Sequence, residues 1–275
     1  MALPEHATTA LCQATPEDVF VRGKSLCREL IGKLSFTEML FFQILGRFPN
    51  PAQTCVVDAC LVTLLEHGLT PSAIAARLAY TSAPEAMQGA VAAGLAAVGS
   101  LFVGTMEGCG ELIARILAAG SDPGAQAAEA QRIAREHRAA RRALPGFGHP
   151  THKPDDPRAQ RLIELAREQG VAGPHLQAVL SLSRAIDEGY GKHITLNATG
   201  AIAALLGDCG VPREILRGFA LISRCAGLVG HIHEEQRQPA LRALWEAGER
   251  AVPYQPAPSV GLTTPNAASE ELPKG

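Results

Sequence analysis

A chain of 275 residues with 47% apolar side chains can bury a full core, as one large or two ordinary domains. Its 25 basic and 27 acidic residues give a formal charge of -2, which offers no electrostatic footprint for a nucleic-acid backbone or an anionic membrane; neither partner is expected. Aromatic residues are only 4% and Gly numbers 27, so the interior is filled by Ala, Leu, Ile and Val, favouring close-packed helices over a sandwich or barrel.

The first twenty residues, MALPEHATTALCQATPEDVF, lack a basic region ahead of an apolar block, and their acidic residues argue against a transit peptide. Residues 1–19 read as an N-terminal extension without a targeting signal. From Phe20 onward, Leu26, Leu30 and Leu34 have helical spacing, broken near Ser35. Ser35 followed by Glu38 is a capping box that starts a second helix, which Pro49 and Pro51 close. A helix over 54–66 ends at His67-Gly68, and Thr70-Pro71 caps the next. Further helices are predicted at 84–98, 107–119, 124–142, 157–169, 174–188, 198–209 and 212–235. No strand of convincing length competes, so the fold class expected is all-α, with about ten helices.

Between Ala86 and Met106 there is no charge, but the Ala and Gly content and Gln88, Ser100 and Thr105 make a poor membrane span. A buried helix is the better reading, with Ala90, Gly94 and Val98 packed tightly on another helix, within the chain or across the interface of a homodimer. The seven Cys form no CxxC pair, so neither a disulfide framework nor a zinc ribbon is indicated, and the cytoplasm is the expected compartment. Residues 255–275, rich in Pro, Ser and Thr, read as a disordered tail.

Two stretches break the helical pattern, at 144–157 and 189–197. The first carries Gly148, His149, His152, Lys153, Asp155, Asp156 and Arg158. A histidine in such a loop can reach a substrate carbonyl, and Arg158 at a helix start has its fork free for a carboxylate. His67 ends an earlier helix. Arg224 lies in an apolar helix with His231 two turns on, and burial there requires an anion. Arg158, Arg224, His67 and His149 together would suit a small di- or tricarboxylate. The His149/His152 spacing and the His231, His233, Glu234, Glu235 cluster lack a cysteine to complete a recognisable set, so no metal is expected.

GFGHPTHKPDDPRAQRL resembles the signature loop of the citrate synthase family, in which Gly-x-Gly-His is followed by Asp-Pro-Arg. GKLSFTEMLFFQILGRFPN, LLEHGLTPSAIAARLA, VAAGLAAVGSLFVGTMEG and SRCAGLVGHIHEEQ also resemble family segments, in the family's order, so the likeness runs from about Lys24 to Tyr254. It is greatest to the short citryl-CoA lyase-like members and to the citrate-cleaving module of ATP citrate lyase. The resemblance implies a multi-helical citrate synthase-like catalytic region over 20–254, with 141–220 as a smaller, mobile subdomain, and a homodimer. It makes His67 a ligand of the oxo-acid carboxylate and His149 the hydrogen-bond partner of the reacting oxygen. Arg158 and Arg224 become the carboxylate clamps, and Lys153 and Lys192 candidates for the coenzyme A phosphates.

Two departures stand out. Thr199, in Leu196-Asn197-Ala198-Thr199-Gly200, occupies the place of the family's catalytic aspartate, and a hydroxyl cannot remove a proton from acetyl-CoA near neutrality. Val103 stands where condensing members carry a histidine that stabilises the acyl-CoA enolate. Arg250 is in the neighbourhood of the arginine that a partner subunit contributes in citrate synthases, without a clear motif match. The expected activity is that of a citryl-CoA lyase-like enzyme, joining or cleaving acetyl-CoA and oxaloacetate. Its coenzyme A thioester is a substrate rather than a bound cofactor, and Glu107, Asp156 or a water on Thr199 would supply the missing proton. The alternatives are a condensing enzyme for another acyl-CoA or 2-oxo acid, and a non-catalytic binder of coenzyme A or carboxylates.

Overall fold

The computed structural model describes residues 7–101 and 103–256. Residues 257–275 of the expected tail and 1–6 of the N-terminal extension lie outside the described residues. The described chain is helical apart from a small antiparallel sheet at its start, made of β1 (Cys12–Ala14), β2 (Val19–Val21) and β3 (Lys24–Ser25) in the order β1-β2-β3. This corrects the helix expected from Phe20. Arg22 and Gly23 form the two-residue turn between β2 and β3 with φ of 47° and 80°, the left-handed pair that a tight hairpin needs. Arg22 holds that conformation because its side chain donates to Gln43 O (2.9 Å) and Ile44 O (3.1 Å), tying the hairpin to the next helix. Only one π-helical turn follows, at Leu26–Leu30.

The first helix, α1 (Phe36–Leu45), starts at the capping box: Ser35 Oγ accepts from Glu38 N, and Glu38 accepts from Ser35 N at 2.8 Å. Its Phe42 packs with Val21 and Leu30 in a satellite cluster under the sheet. The second, α2 (Pro51–Leu65), begins at Pro51 rather than after it. Asn50 and Gln53 form a further capping box, and Pro51 takes the first helical position, where its missing N–H is no loss. Then follow α3 (Pro71–Ser82), α4 (Met87–Ala96), α5 (Thr105–Ala118), α6 (Pro123–Ala139), α7 (Pro157–Glu168), α8 (Pro174–Tyr190), α9 (Ala198–Asp208) and α10 (Leu216–Arg237). An eleventh, α11 (Leu241–Ala251), had no counterpart among the predicted elements; none of its residues is buried, and its Trp245 is 64% exposed.

One apolar core runs from Phe41 to Ala220, with α9 at its centre, packed against α2, α5, α7 and α8. Ile202, Leu205 and Leu206 are fully buried, each contributing roughly 1.5–3 kcal/mol of transfer free energy. Among the described residues only Phe41 and Phe219 supply large rings at full burial, and Ala201, Ala203 and Ala204 let neighbouring backbones close in. Ala90 and Gly94 in α4, and Val98 just beyond its end, are buried as expected, while Met87, Ala92 and Ala96 face outward. The uncharged stretch is two pieces, with α4 ending at Ala96 and α5 beginning at Thr105. The longest apolar helix is α10, which has the length and composition to cross a membrane but packs against α2, α3, α4 and α5. All seven cysteines are free thiols.

Gly227 fixes the register of α10 on α2. A Cβ there would lie 2.0 Å from Leu65 O, so only glycine allows this approach. Arg224 and His231, one turn on either side, are thereby set beside the last residues of α2 and the turn that follows.

Candidate active site

Three helix N-termini and the end of α2 meet at one place. Asp156, with no exposed surface, organises them. Its Oδ1 accepts from Arg158 N at 3.0 Å, capping α7, and its Oδ2 accepts from Ala198 N at 3.0 Å, at the start of α9. The same carboxylate takes both arms of Arg158, Nε at 3.0 Å and Nη2 at 2.8 Å. Burial works against its charge, but these donors together hold the carboxyl below the usual range, so Asp156 is ionised and committed. It is not a free proton donor, contrary to one of the options above.

Arg158 in turn faces two of the expected histidines. Its Nη1 donates to His67 Nδ1 at 3.3 Å, and its Nη2 lies 3.3 Å from His149 Nε2. His149 Nδ1 accepts from the backbone N–H groups of Thr151 (3.1 Å) and His152 (2.9 Å). Two donors on Nδ1 assign the ring proton of neutral His149 to Nε2. That tautomer leaves two N–H donors, Arg158 Nη2 and His149 Nε2, side by side at 3.3 Å, a pair suited to an oxygen anion. Burial, then the charge of Arg158, keeps the His67 imidazole below its usual pKa; burial, then His152 and Arg158, does the same for His149. Both are neutral at pH 7.

The loop reaches this position through a glycine contact. Gly146, at φ 84°, sits against Gly200: a Cβ on Gly146 would meet Gly200 Cα at 2.9 Å, and one on Gly200 would meet Gly146 O at 2.5 Å. Gly148 N donates to Thr195 O and Asn197 N to Gly146 O, so the 144–157 and 189–197 loops form one unit. His193 adds a clasp, its Nδ1 2.6 Å from Asp187 and its Nε2 3.2 Å from Asp155.

The His67 turn is braced from behind. Glu66 Oε1 accepts from His67 N (2.7 Å) and Gly68 N (2.6 Å), and Glu66 Oε2 lies 2.9 Å from His231 Nε2. His231 Nδ1 accepts from Arg77 Nε at 3.1 Å, and Arg77, 4% exposed, pairs with Glu234 and Glu235. His231 therefore supports the site rather than lining it, and Glu234 and Glu235 are counter-ions of Arg77, not ligands waiting for a metal. His233 is exposed. Arg224 is different. It is 3% exposed, and its Nε and Nη1 are buried without a hydrogen-bond partner among the described residues. Burial pulls its pKa down, and its charge is felt at His67.

Thr199 lies at the start of α9 in a chain of hydroxyls. Its Oγ1 donates to Asn197 Oδ1 at 2.7 Å and pairs with Thr105 Oγ1 at 2.7 Å, Thr105 being the first residue of α5. With its own proton given to Asn197, Thr199 accepts from Thr105 and cannot serve as a base. Asn197 Nδ2 donates to Gly148 O at 2.9 Å, linking this group to the residue before His149. Thr105 also lines a cavity of about 500 Å³ with Ser100, Gly104, Glu107 and Arg217. Glu107, the other option for a proton donor, accepts from Arg217 at 2.5 Å. Val103, at the entrance to α5, has φ 63°, an outlier for a β-branched residue. A larger cavity, about 630 Å³ between α2 and α7, touches the histidine cluster only through Arg158. Lys153 and Lys192 are exposed on the two joined loops, with no carboxylate partner among the described residues. Arg250 sits on α11, 3.9 Å from Glu246.

The structure thus joins His67, His149 and Arg158, sets Arg224 near them and keeps Thr199 on the adjoining helix start. It adds Thr105 and His152, which pattern reading did not assign; their signal was a hydroxyl at a helix start and a second imidazole three residues after His149. His67, His149 and His152 bring one ring nitrogen each within 4.8 Å of one another, close enough to converge on an ion. A dication there would sit against the Arg158 guanidinium, so the donor set favours an anion.

Comparison with known proteins agrees with this architecture. Residues 18–244 match the family model of the citrate synthase C-terminal domain. The solved citryl-CoA lyase from Hydrogenobacter thermophilus superposes with a TM-score of 0.81 at 30% identity, covering 92% of this chain and 96% of that one. An ATP citrate lyase variant from Methanosaeta concilii, solved with (3S)-citryl-CoA, shares the fold at 20% identity and TM-score 0.71, over 94% of this chain and 43% of that one. A citrate synthase-like protein from a Phoma species is 28% identical over 212 residues, 75% of this chain and 44% of the relative. The chain spans about half the length of the curated relatives it matches. On the extent of the family match, the chain belongs to the citrate synthase family.

Proposed function

We propose that the protein makes or breaks the carbon–carbon bond between an acyl-CoA and a 2-oxo acid, with cleavage of citryl-CoA to acetyl-CoA and oxaloacetate as the leading case. The observation that carries this reading is Arg224, a guanidinium buried at 3% exposure with two unpaired nitrogens beside the His67 turn. An isolated buried charge is costly, and a substrate carboxylate would satisfy it. The likeness to a citryl-CoA lyase at 30% identity over nearly the full length of both chains supports the choice of substrate.

In this reading His67, Arg158 and Arg224 hold carboxylates. His149 serves as a donor through Nε2–H, because Nδ1 is already occupied by two backbone N–H groups. Its hydrogen bond to the carbinol oxygen stabilises negative charge there as the bond to the acetyl carbon breaks. The carbinol oxygen becomes the oxaloacetate carbonyl, its proton leaves to solvent, and the bonding pair forms the thioester enolate, which takes a proton at carbon. Thr199 and Thr105 hold the water that delivers it. Lys153 and Lys192 meet the coenzyme A phosphates. A homodimer belongs to the same proposal, with the uncharged face of α4 in the contact.

A second reading, binding without turnover, is favoured by the hydroxyl pair where an acid would be needed. Incubation with citryl-CoA, and separately with acetyl-CoA plus oxaloacetate, followed by mass spectrometry, separates the two. Release of acetyl-CoA and oxaloacetate, abolished by His149→Ala, is expected. Turnover only with a substituted thioester or another 2-oxo acid keeps the bond chemistry and changes the substrate. No turnover in either direction, with a thermal shift on adding citrate or coenzyme A, leaves the binding reading standing.

A further inference from the structure

His67 presents its ring from a short turn, and what holds that turn lies outside the site. Glu66 Oε1 accepts from the amides of His67 and Gly68 at 2.7 and 2.6 Å, so one carboxylate oxygen fixes the peptide that carries His67. Gly68, at φ 73°, supplies the left-handed residue this turn requires. The other Glu66 oxygen lies 2.9 Å from His231 Nε2, a short contact set off the line of the N–H, and no other partner among the described residues reaches that nitrogen. Behind His231 the contacts are fixed. Arg77 Nε donates to His231 Nδ1 at 3.1 Å, and Arg77 Nη1 pairs with Glu235 at 2.8 Å. Glu235, 2% exposed, accepts in turn from Thr81 Oγ1 and from the amides of Ala240 and Leu241.

This network has a direction. A guanidinium donates and cannot accept, so His231 Nδ1 is bare and the ring proton sits on Nε2, facing Glu66. Glu66 accepts on both sides and donates on neither. We propose that His231 is a positioning residue: held in one tautomer by Arg77, it keeps the Glu66 carboxylate against the His67 and Gly68 amides and so aims the His67 ring. It acts from another helix, because α10 approaches α2 closely at Gly227 and His231, one turn further along, thereby reaches Glu66. The proposal rests on the carboxylate role proposed for His67 and adds what sets that residue's orientation. Neither His231 nor Glu66 contacts the ligand in it.

The test reads the imidazole nitrogens of the full chain by long-range proton–nitrogen NMR, and oxaloacetate affinity by calorimetry, for the wild type, His231→Leu, His231→Gln and Glu66→Gln. Wild-type His231 should show the neutral ring protonated on Nε2. His231→Leu should move the His67 signals and weaken oxaloacetate binding about tenfold, the size of one misdirected hydrogen bond to a charged group. His231→Gln, which offers a carbonyl to Arg77 and an N–H to Glu66, should recover most of both. Glu66→Gln matches the wild type in shape but sets an amide NH2 against either the His231 N–H or the two backbone amides, and should fail as His231→Leu does. A wild-type His231 proton on Nδ1, His67 signals unmoved in His231→Leu, or a Glu66→Gln variant that binds like the wild type would each overturn the proposal. Equal losses in His231→Leu and His231→Gln would mean packing alone and overturn it too. If the wild type binds no oxaloacetate while the His67 signals respond as described, the carboxylate reading fails and the positioning role stands. If the His67 signals do not respond either, both fail.

Discussion

The site has two ends that begin from similar helix termini and are finished with opposite chemistry. At the carboxylate end, the start of α7 and the end of α2 carry Arg158, His67 and, across from them, Arg224, stiffened by the ionised Asp156 and by the Glu66, His231 and Arg77 brace. At the hydroxyl end, the starts of α5 and α9 bring together only Thr105 and Thr199, and the nearby Glu107 is tied to Arg217. One end holds unspent positive charge; the other holds neutral groups whose protons are already assigned. In the proposed reading, anion binding and proton transfer thus fall to different ends, the first to charged side chains and the second to a water held by hydroxyls.

The largest effect should come from removing the unspent charge. Arg224→Leu is expected to weaken citrate binding about 100-fold, measured by calorimetry. The same change should raise the stability of the unliganded protein by about 1–2 kcal/mol, seen as a higher Tm, because an unpaired buried charge is replaced by a side chain that suits its apolar surroundings. A variant that binds citrate normally would remove Arg224 from the carboxylate end.

Supplying the missing group at the other end is the next test. Thr199→Asp should raise turnover of acetyl-CoA with oxaloacetate by about 100-fold, the usual yield of a placed acid or base. Folded protein with no gain would show that more than one residue separates this chain from condensing chemistry. Val103→Gly should leave citrate affinity unchanged and add about 1 kcal/mol of stability by relieving the left-handed conformation, read from chemical denaturation.

The smallest effect belongs to the clasp that joins the loops. Hydrogen bonding to Asp187, then to Asp155, raises the His193 pKa above its usual value. A raised histidine pKa gives stability that is fully present below the unfolded value near 6.5 and is lost as pH rises through the higher folded value. His193→Gln should therefore cost about 0.5 kcal/mol, discounted for solvent screening, at pH 5.5 and nothing measurable at pH 9. A cost that is the same at both pH values would mean that charge is not what holds the loops.

Much of this was legible because local rules were obeyed. Ser35 with Glu38, Pro71, Pro157 and Pro174 all mark helix starts where the structure has them. His149 and Arg158 were legible together because the Gly-His to Asp-Pro-Arg spacing is specific, and His67 joined them through the resemblance to the family. What escaped notice depends on distant contacts. The hairpin at Arg22-Gly23 lacks the usual Asn-Gly signal, and its left-handed arginine is held by carbonyls of α1. The charge state of Asp156 depends on Ala198, 42 residues away, and the tautomer of His149 on two amides that only the folded loop aims at it. His231 has the spacing of a site residue on α10, but Glu66 and Arg77 engage both its nitrogens from other helices.

The exposed Trp245 of α11 has a practical consequence, since it is the only tryptophan in the chain. Its fluorescence reads the solvent around that one helix, and none of the residues named for ligand binding is a tryptophan. Emission that shifts to the blue as protein concentration rises would register α11 being covered by a second copy. Emission that shifts on adding citrate to dilute protein would register movement transmitted along the chain from α10.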